Sequence, residues 1–99
     1  MEFEWDEVKN RANVAKHGLE FRDAVAIFDG RVLRRIDDRH NYGETRVLAT
    51  GIVDGEETTV IYTKRGDIYR IISARRAHRN ERRAYRAILH AGTPRQDDD

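Results

Sequence analysis

Arginine dominates the side chains of this sequence that could do chemistry. Of the nineteen basic residues sixteen are arginine, and residues 62–86 carry nine basic side chains against two acidic ones, whereas residues 1–29 carry four against seven. The planar guanidinium group matches the geometry of a phosphate, which an ammonium group does not. The basic half therefore indicates a polyanionic partner such as a nucleic acid, although a solvated arginine-rich face would leave the same pattern.

A smaller set of side chains could transfer protons. Lys16 and His17 stand together at the end of a predicted helix, where the helix dipole favours cations in any case, and imidazole can exchange protons near neutral pH. Glu81 and Tyr85 are four residues apart and share one face of a predicted C-terminal helix. We expect Glu81 to be half-buried and to pair with Arg75 or Arg76. A proton-transfer role and a purely structural salt bridge both fit this spacing.

The sequence lacks the residues that disulfide or metal chemistry would require. The chain has no cysteine, so disulfides and thiolate metal sites are excluded, and the four histidines have no metal-ligand spacing. We therefore expect no metal and no cofactor. The apolar runs are too short to cross a bilayer, and the acidic start, Met1 to Asp6, is unlike a signal peptide. These features predict a cytoplasmic protein.

The elements that must position these residues predict an α+β domain. Asp6 is suited to cap a first helix that Gly18 ends, with a narrow apolar stripe of Val8, Ala12 and Ala15. The pattern predicts helices over about 7–17 and 21–28, a four-stranded antiparallel meander over 31–36, 45–53, 58–64 and 68–75, and a helix over about 78–90. Residues 3–5 could add a short edge strand. One domain covers residues 1–90, and residues 91–99 form a flexible tail.

Two tight turns predict which strand residues face each other. Asp54-Gly55 is typical of a two-residue type I′ hairpin, which sets Glu44 opposite Arg65, Arg46 opposite Thr63, Leu48 opposite Ile61 and Thr50 opposite Thr59. A turn at Gly66-Asp67 sets Thr63 opposite Arg70 and Ile61 opposite Ile72. Arg46, Arg65 and Arg70 would then gather with Glu44 at one end of one face, as an ion-pair network or as a site for a phosphodiester. The opposite face, with Val47, Val60, Tyr62 and Ile71, is available for helix packing.

The ordered motifs of the chain resemble those of the BrnT toxin family. They are Phe3-Glu4-Trp5-Asp6, Lys9, Asn13, Lys16-His17-Gly18, Phe21, Gly43-Glu44-Thr45-Arg46, Tyr62-Thr63-Lys64-Arg65, the run Arg70 to Arg75, Glu81-Arg82 and Tyr85. The resemblance covers residues 3–88. It implies a fold similar to the RelE-type toxins, an endoribonuclease that halts growth, and a BrnA-like antitoxin that binds the toxin, dimerises through its own DNA-binding part and represses the shared operon.

A ribonuclease that works without a metal uses the neighbouring 2′-hydroxyl as nucleophile, so it needs a base, an acid and cations. Arg65 and Arg75 are predicted to stabilise the phosphate, Glu81 or His17 to act as base, and Lys16 or Tyr85 as acid. Arg46, Arg70, Arg76 and Arg79 are predicted to bind the RNA backbone. Two other functions fit the composition: a non-catalytic nucleic-acid-binding module, and an adaptor that binds an acidic protein segment or an antitoxin.

Overall fold

Helix α1 (Glu7–His17) begins and ends where the sequence predicts. In the computed structural model, which describes residues 1–39 and 43–92, the Asp6 carboxylate accepts hydrogen bonds from the amides of Val8 (2.8 Å) and Lys9 (3.4 Å). Gly18 ends the helix with a φ of 69°, a left-handed conformation that glycine adopts without strain.

The packing of α1 differs from the predicted apolar stripe. Val8 is 67% exposed, Ala12 and Ala15 are exposed, and the buried residues of the helix are Asn10 and Asn13. The prediction of an apolar contact face is wrong because these asparagines attach the helix to the main chain of neighbouring segments. Asn13 donates to the carbonyl of Ala74 (2.8 Å) and accepts from its amide (3.2 Å), so its side-chain amide pairs with the last strand as another strand would.

The second predicted helix, 21–28, is two shorter elements. Helix α2 (Phe21–Ala24) is followed by a 3₁₀ helix over Val25–Asp29. Together they bring Phe21, Ala24 and Ile27 into the core. The amide of Phe21 donates to the Asn10 side chain at 2.8 Å, which fixes α2 against α1.

The sheet has five strands in the order β1-β5-β4-β3-β2. They are β1 (Glu2–Glu4), β2 (Leu33–Asp37), β3 (Arg46–Val53), β4 (Glu56–Arg65) and β5 (Ile68–Arg76). Strands β2 to β5 form the predicted antiparallel meander. The edge strand that residues 3–5 could add is present as β1, so the sheet has five strands instead of four. Strand β1 pairs in parallel with the outer edge of β5, which makes the sheet mixed instead of wholly antiparallel.

The turn residues set the predicted register at both hairpins. Asp54 and Gly55 have φ of 49° and 80°, as a type I′ turn requires, and the expected pairs of β3 with β4 are confirmed from Arg46–Thr63 to Thr50–Thr59. Thr63 also pairs with Arg70 as expected. Beyond it the prediction is wrong, because a bulge at Ile61/Tyr62 shifts the register and Ile61 pairs with Ser73 instead of Ile72.

Helices cover both faces of the sheet. Helices α1 and α2 pack on the face that carries Ala49, Val60, Tyr62, Ile71 and Ala74, which form the core with Phe21 and Ile27. Helix α3 (Arg79–Gly92) lies on the other face, where its Glu81 contacts Thr59. The predicted α+β class is confirmed.

Two predicted segments extend beyond the described residues. The loop predicted between the first two strands of the meander includes residues 40–42, and residues 93–99 belong to the predicted tail; both stretches lie outside the described part of the chain. Helix α3 continues through residues 91 and 92. Among the described helices, none combines the length and the apolar character needed to cross a membrane.

Candidate active site

Glu81 is the centre of a buried ion-pair cluster on the α3 face of the sheet. Its carboxylate accepts two hydrogen bonds from Arg75 (2.7 and 3.0 Å) and one from Arg35 (2.8 Å). It also accepts from the hydroxyl of Thr59 (3.0 Å) and from the amide of His78 (2.7 Å). The predicted pairing of Glu81 with Arg75 is therefore confirmed, and the carboxylate additionally fixes β2, β4 and the start of α3.

The bulge in the β4–β5 pair places Arg75 in this cluster. Side chains alternate between the faces of a strand, so the register without a bulge would set Ala74 opposite Thr59 and turn Arg75 toward α1. With the bulge, Thr59 pairs with Arg75, and both face α3. Asn13 holds the adjacent residue, Ala74, through its main chain and so fixes this part of β5.

A hollow of about 270 Å³ opens beside the cluster. We call it the arginine hollow; it is lined by Arg35, Ile36, Asp37, Asp38, Arg39, Leu48, Arg75, His78 and Asn80. The side chain of Arg35 is 54% exposed and that of Arg75 is 15% exposed. The hollow therefore has the accessible guanidinium of Arg35, the largely buried one of Arg75 and that of Arg39, which pairs with Asp37 at 2.8 Å, with the imidazole of His78 also in its lining.

The electrostatics of the cluster keep Glu81 ionised. Burial raises the pKa of Glu81, but the hydrogen bonds from Arg75, from the His78 amide and from Arg35 outweigh it and hold the pKa far below its ordinary range. A carboxylate so stabilised is a weak proton acceptor. The arrangement instead suits Glu81 to holding two guanidinium groups in fixed positions.

The other predicted arginine cluster forms in part, at the far end of the sheet. Glu44 lies 3.5 Å from Arg46 and 3.9 Å from Arg65, and Arg70 pairs with Glu4 at 2.8 Å. Arg65 follows Thr59 by six residues along β4, so it stands about 20 Å from the level of Arg75. The structure thus brings Arg46, Arg65 and Glu44 together, but it does not bring Arg65 to Arg75.

Lys16, His17 and Arg76 lie on the α1 side of the sheet. His17 and Arg76 line a separate hollow of about 340 Å³, together with Glu56, which pairs with Arg76 at 3.2 Å. Partial burial lowers the pKa of His17, and the positive charges of Lys16 and Arg75 lower it further. None of these three residues lines the arginine hollow.

The remaining predicted residues belong to α3. Tyr85 is 2% exposed, and its hydroxyl donates to the carbonyl of Arg31 at 2.8 Å. Burial raises the pKa of this phenol. Tyr85 therefore fixes α3 to the segment before β2, while Arg79 is exposed at the first position of the helix.

Arg35 and His78 are candidate functional residues that the sequence analysis did not single out. The sequence shows no two-residue turn signal such as Asp54-Gly55 beside β2, so it did not predict that Arg35 lies opposite Leu48 and near Glu81. His78 lies between a strand and a helix, and no periodic pattern marks such a residue. The available signal was the possible cap at the start of α3, since Glu81 stands three residues after His78.

Fold and site together define a small α+β protein whose sheet holds Arg35 and Arg75 on one buried carboxylate beside a surface hollow. A family model described as "Ribonuclease toxin, BrnT, of type II toxin-antitoxin system" matches residues 5–81. Because the match covers most of the chain, the protein belongs to this family of ribonuclease toxins. Family membership implies an RNA substrate and an antitoxin protein as partner. No curated protein matches the sequence.

Proposed function

We propose that this protein is an endoribonuclease that cleaves RNA in the arginine hollow without a metal ion. The observation that carries the proposal is the cluster in which Glu81 binds Arg75 through two hydrogen bonds and Arg35 through one. Guanidinium groups fixed in advance can stabilise the charge that develops on a phosphate without reorganising during the reaction. Such groups supply the positive charge that a metal would otherwise provide.

In the proposed reaction the 2′-hydroxyl of the RNA attacks the adjacent phosphorus. The hydroxyl loses its proton, the bond from O2′ to phosphorus forms, the bond from phosphorus to O5′ breaks, and O5′ takes up a proton. The products are a 2′,3′-cyclic phosphate and a 5′-hydroxyl. Arg35 and Arg75 bind the phosphate. His78, the imidazole at the edge of the hollow, takes the proton of the 2′-hydroxyl, and water protonates the leaving O5′.

This assignment gives Glu81 a positioning role, because its low pKa disfavours proton uptake. The roles predicted for Lys16, His17, Arg65 and Tyr85 remain predictions, and alanine variants of these residues belong in the same activity series. Arg46, Arg70, Arg76 and Arg79 are proposed to bind the RNA backbone outside the hollow.

The test is cleavage of a defined RNA by purified protein in EDTA. We expect wild type to cut, and Arg75→Ala and Arg35→Ala to lose about 10²–10³ in rate. Because Arg75→Ala leaves the buried Glu81 without its main partner, rates are compared per folded protein, as measured by urea unfolding. Arg22→Ala, which removes a surface arginine paired with Glu20 at 3.7 Å, should cut normally. The same RNA with a 2′-deoxy group at the cleavage position should survive. Cleavage of that substrate would refute the mechanism, and activity only with added metal would refute metal independence.

The biological proposal is that the chain halts growth and is neutralised by a BrnA-like antitoxin, which itself binds operator DNA. Expression of wild type should arrest growth, and co-expression of the neighbouring gene's product should relieve the arrest. Arg75→Ala should permit growth while still co-purifying with that product. RNA binding without cleavage would favour the non-catalytic nucleic-acid-binding module, and growth unaffected by wild type would favour the adaptor.

A further inference from the structure

Helix α3 carries four arginines on one surface. Arg79, Arg82, Arg83 and Arg86 together line a shallow hollow of about 320 Å³, and we call them the α3 arginine face. They form two columns, Arg79 with Arg83 and Arg82 with Arg86, whose members are four residues and therefore about 6 Å apart. The face thus presents positive charge at regular intervals along the helix axis.

The fold gives no structural reason for part of this face. Arg86 binds Glu57 through two hydrogen bonds of 2.7 Å, and Arg82 donates to the carbonyl of Ala77 at 2.7 Å. Arg79 and Arg83 are exposed and form no ion pair within the described residues. They also stand in the first five residues of the helix, where the helix dipole disfavours cations.

The α3 arginine face is continuous with the arginine hollow. Asn80 lines the arginine hollow and also a second surface hollow, which it shares with Arg79 and Arg83. An RNA strand with one phosphate at Arg75 can therefore continue past Asn80 onto the outer side of α3.

We propose that the α3 arginine face binds the phosphates of nucleotides that flank the cleaved bond, so that α3 determines affinity for long RNA. This proposal rests on the proposed function, since it extends the same substrate site. RNA fits the face because all four residues that line it are arginine, and none of them supplies the apolar core that a stable protein interface contains. Regularly spaced guanidinium groups instead match a regularly charged backbone.

The test measures binding of RNA that cannot be cleaved because its 2′-hydroxyls are methylated. A dinucleotide and a long oligonucleotide are titrated at several salt concentrations with wild type, with the double variant Arg79→Ala/Arg83→Ala, and with Arg11→Ala as matched control. Arg11 is an exposed arginine of α1, on the opposite side of the sheet. Each lost phosphate contact lowers the slope of log K against log salt by about 0.7 for a single strand.

We expect the slope for the long RNA to be about 1.4 smaller with the double variant than with wild type. The double variant should bind the dinucleotide like wild type. The control Arg11→Ala should match wild type on both RNAs. Arg83→Gln, which keeps a polar side chain, should lose about 0.7. Both variants should melt no lower than wild type, because they remove cations from the positive end of a helix dipole.

Equal slopes for wild type and the double variant on the long RNA would overturn the proposal. So would a double variant that keeps the RNA slope but loses affinity for the antitoxin, because the face would then serve a protein partner. If wild type cuts no RNA but its binding depends on Arg79 and Arg83, this proposal is supported and the proposed function is refuted.

Discussion

Replacing Glu81 by alanine should destabilise this protein far more than removing any surface ion pair. The Glu81 side chain is 2% exposed, and its main partner, Arg75, is 15% exposed. Removal of one member of a buried ion pair costs about 3–5 kcal/mol, because the other charge stays buried without its partner. Arg35 is 54% exposed and can be solvated when Glu81 is lost, so we expect a loss near the lower limit, about 3 kcal/mol.

A loss of this size is easily measured. For a domain of this length it corresponds to a fall in melting temperature of about 12–24 °C. Urea unfolding followed by the fluorescence of Trp5, the one tryptophan of the chain, gives the change in the free energy of unfolding from the shift in midpoint at constant m.

Glu57→Ala is the matched control. Glu57 binds Arg86 through two hydrogen bonds of 2.7 Å, a geometry like that of Glu81 with Arg75. The side chain of Arg86 is 63% exposed, however, and water replaces the lost carboxylate there. We expect a much smaller loss than for Glu81→Ala. Equal losses in the two variants, or a loss below about 1 kcal/mol for Glu81→Ala, would refute the argument that burial sets the strength of the cluster.

Three further predictions concern stability. The folded state holds the pKa of Glu81 below its unfolded value of about 4.3. The stabilisation from this group is therefore complete above that pH and falls as the pH drops below it. The free energy of unfolding should decrease more steeply with acid in wild type than in Glu81→Gln. Gly51→Ala should cost about 1–3 kcal/mol, because the new Cβ would lie 2.8 Å from Cβ of Ile27, whereas Gly30→Ala, with open space around it, should leave the urea midpoint nearly unchanged. Asp6→Ala removes the acceptor for two amides of α1 and should cost about 1 kcal/mol, and a melting temperature equal to that of wild type would contradict the role of this cap.

The sequence by itself determined the elements whose signals are local. Asp6 and Gly18 bound α1 through their own hydrogen bonds and backbone angles, and Asp54-Gly55 set the register of β3 with β4 because a two-residue turn leaves one pairing. The pairing of Glu81 with Arg75 could also be predicted, because Arg75 near the end of β5 and Glu81 in the first turn of α3 are only six residues apart.

Only the tertiary structure decided that Arg35 and Arg75 meet at Glu81. The bulge at Ile61/Tyr62 turns Arg75 toward α3, and no turn residue in the sequence encodes that bulge. The place of Arg35 depends on the pairing of β2 with β3, for which the sequence carries no turn signal like Asp54-Gly55. Strand β1 pairs in parallel with β5, which lies more than sixty residues away along the chain. Such contacts depend on packing between segments that are distant in sequence. Local patterns of neighbouring residues therefore do not predict them.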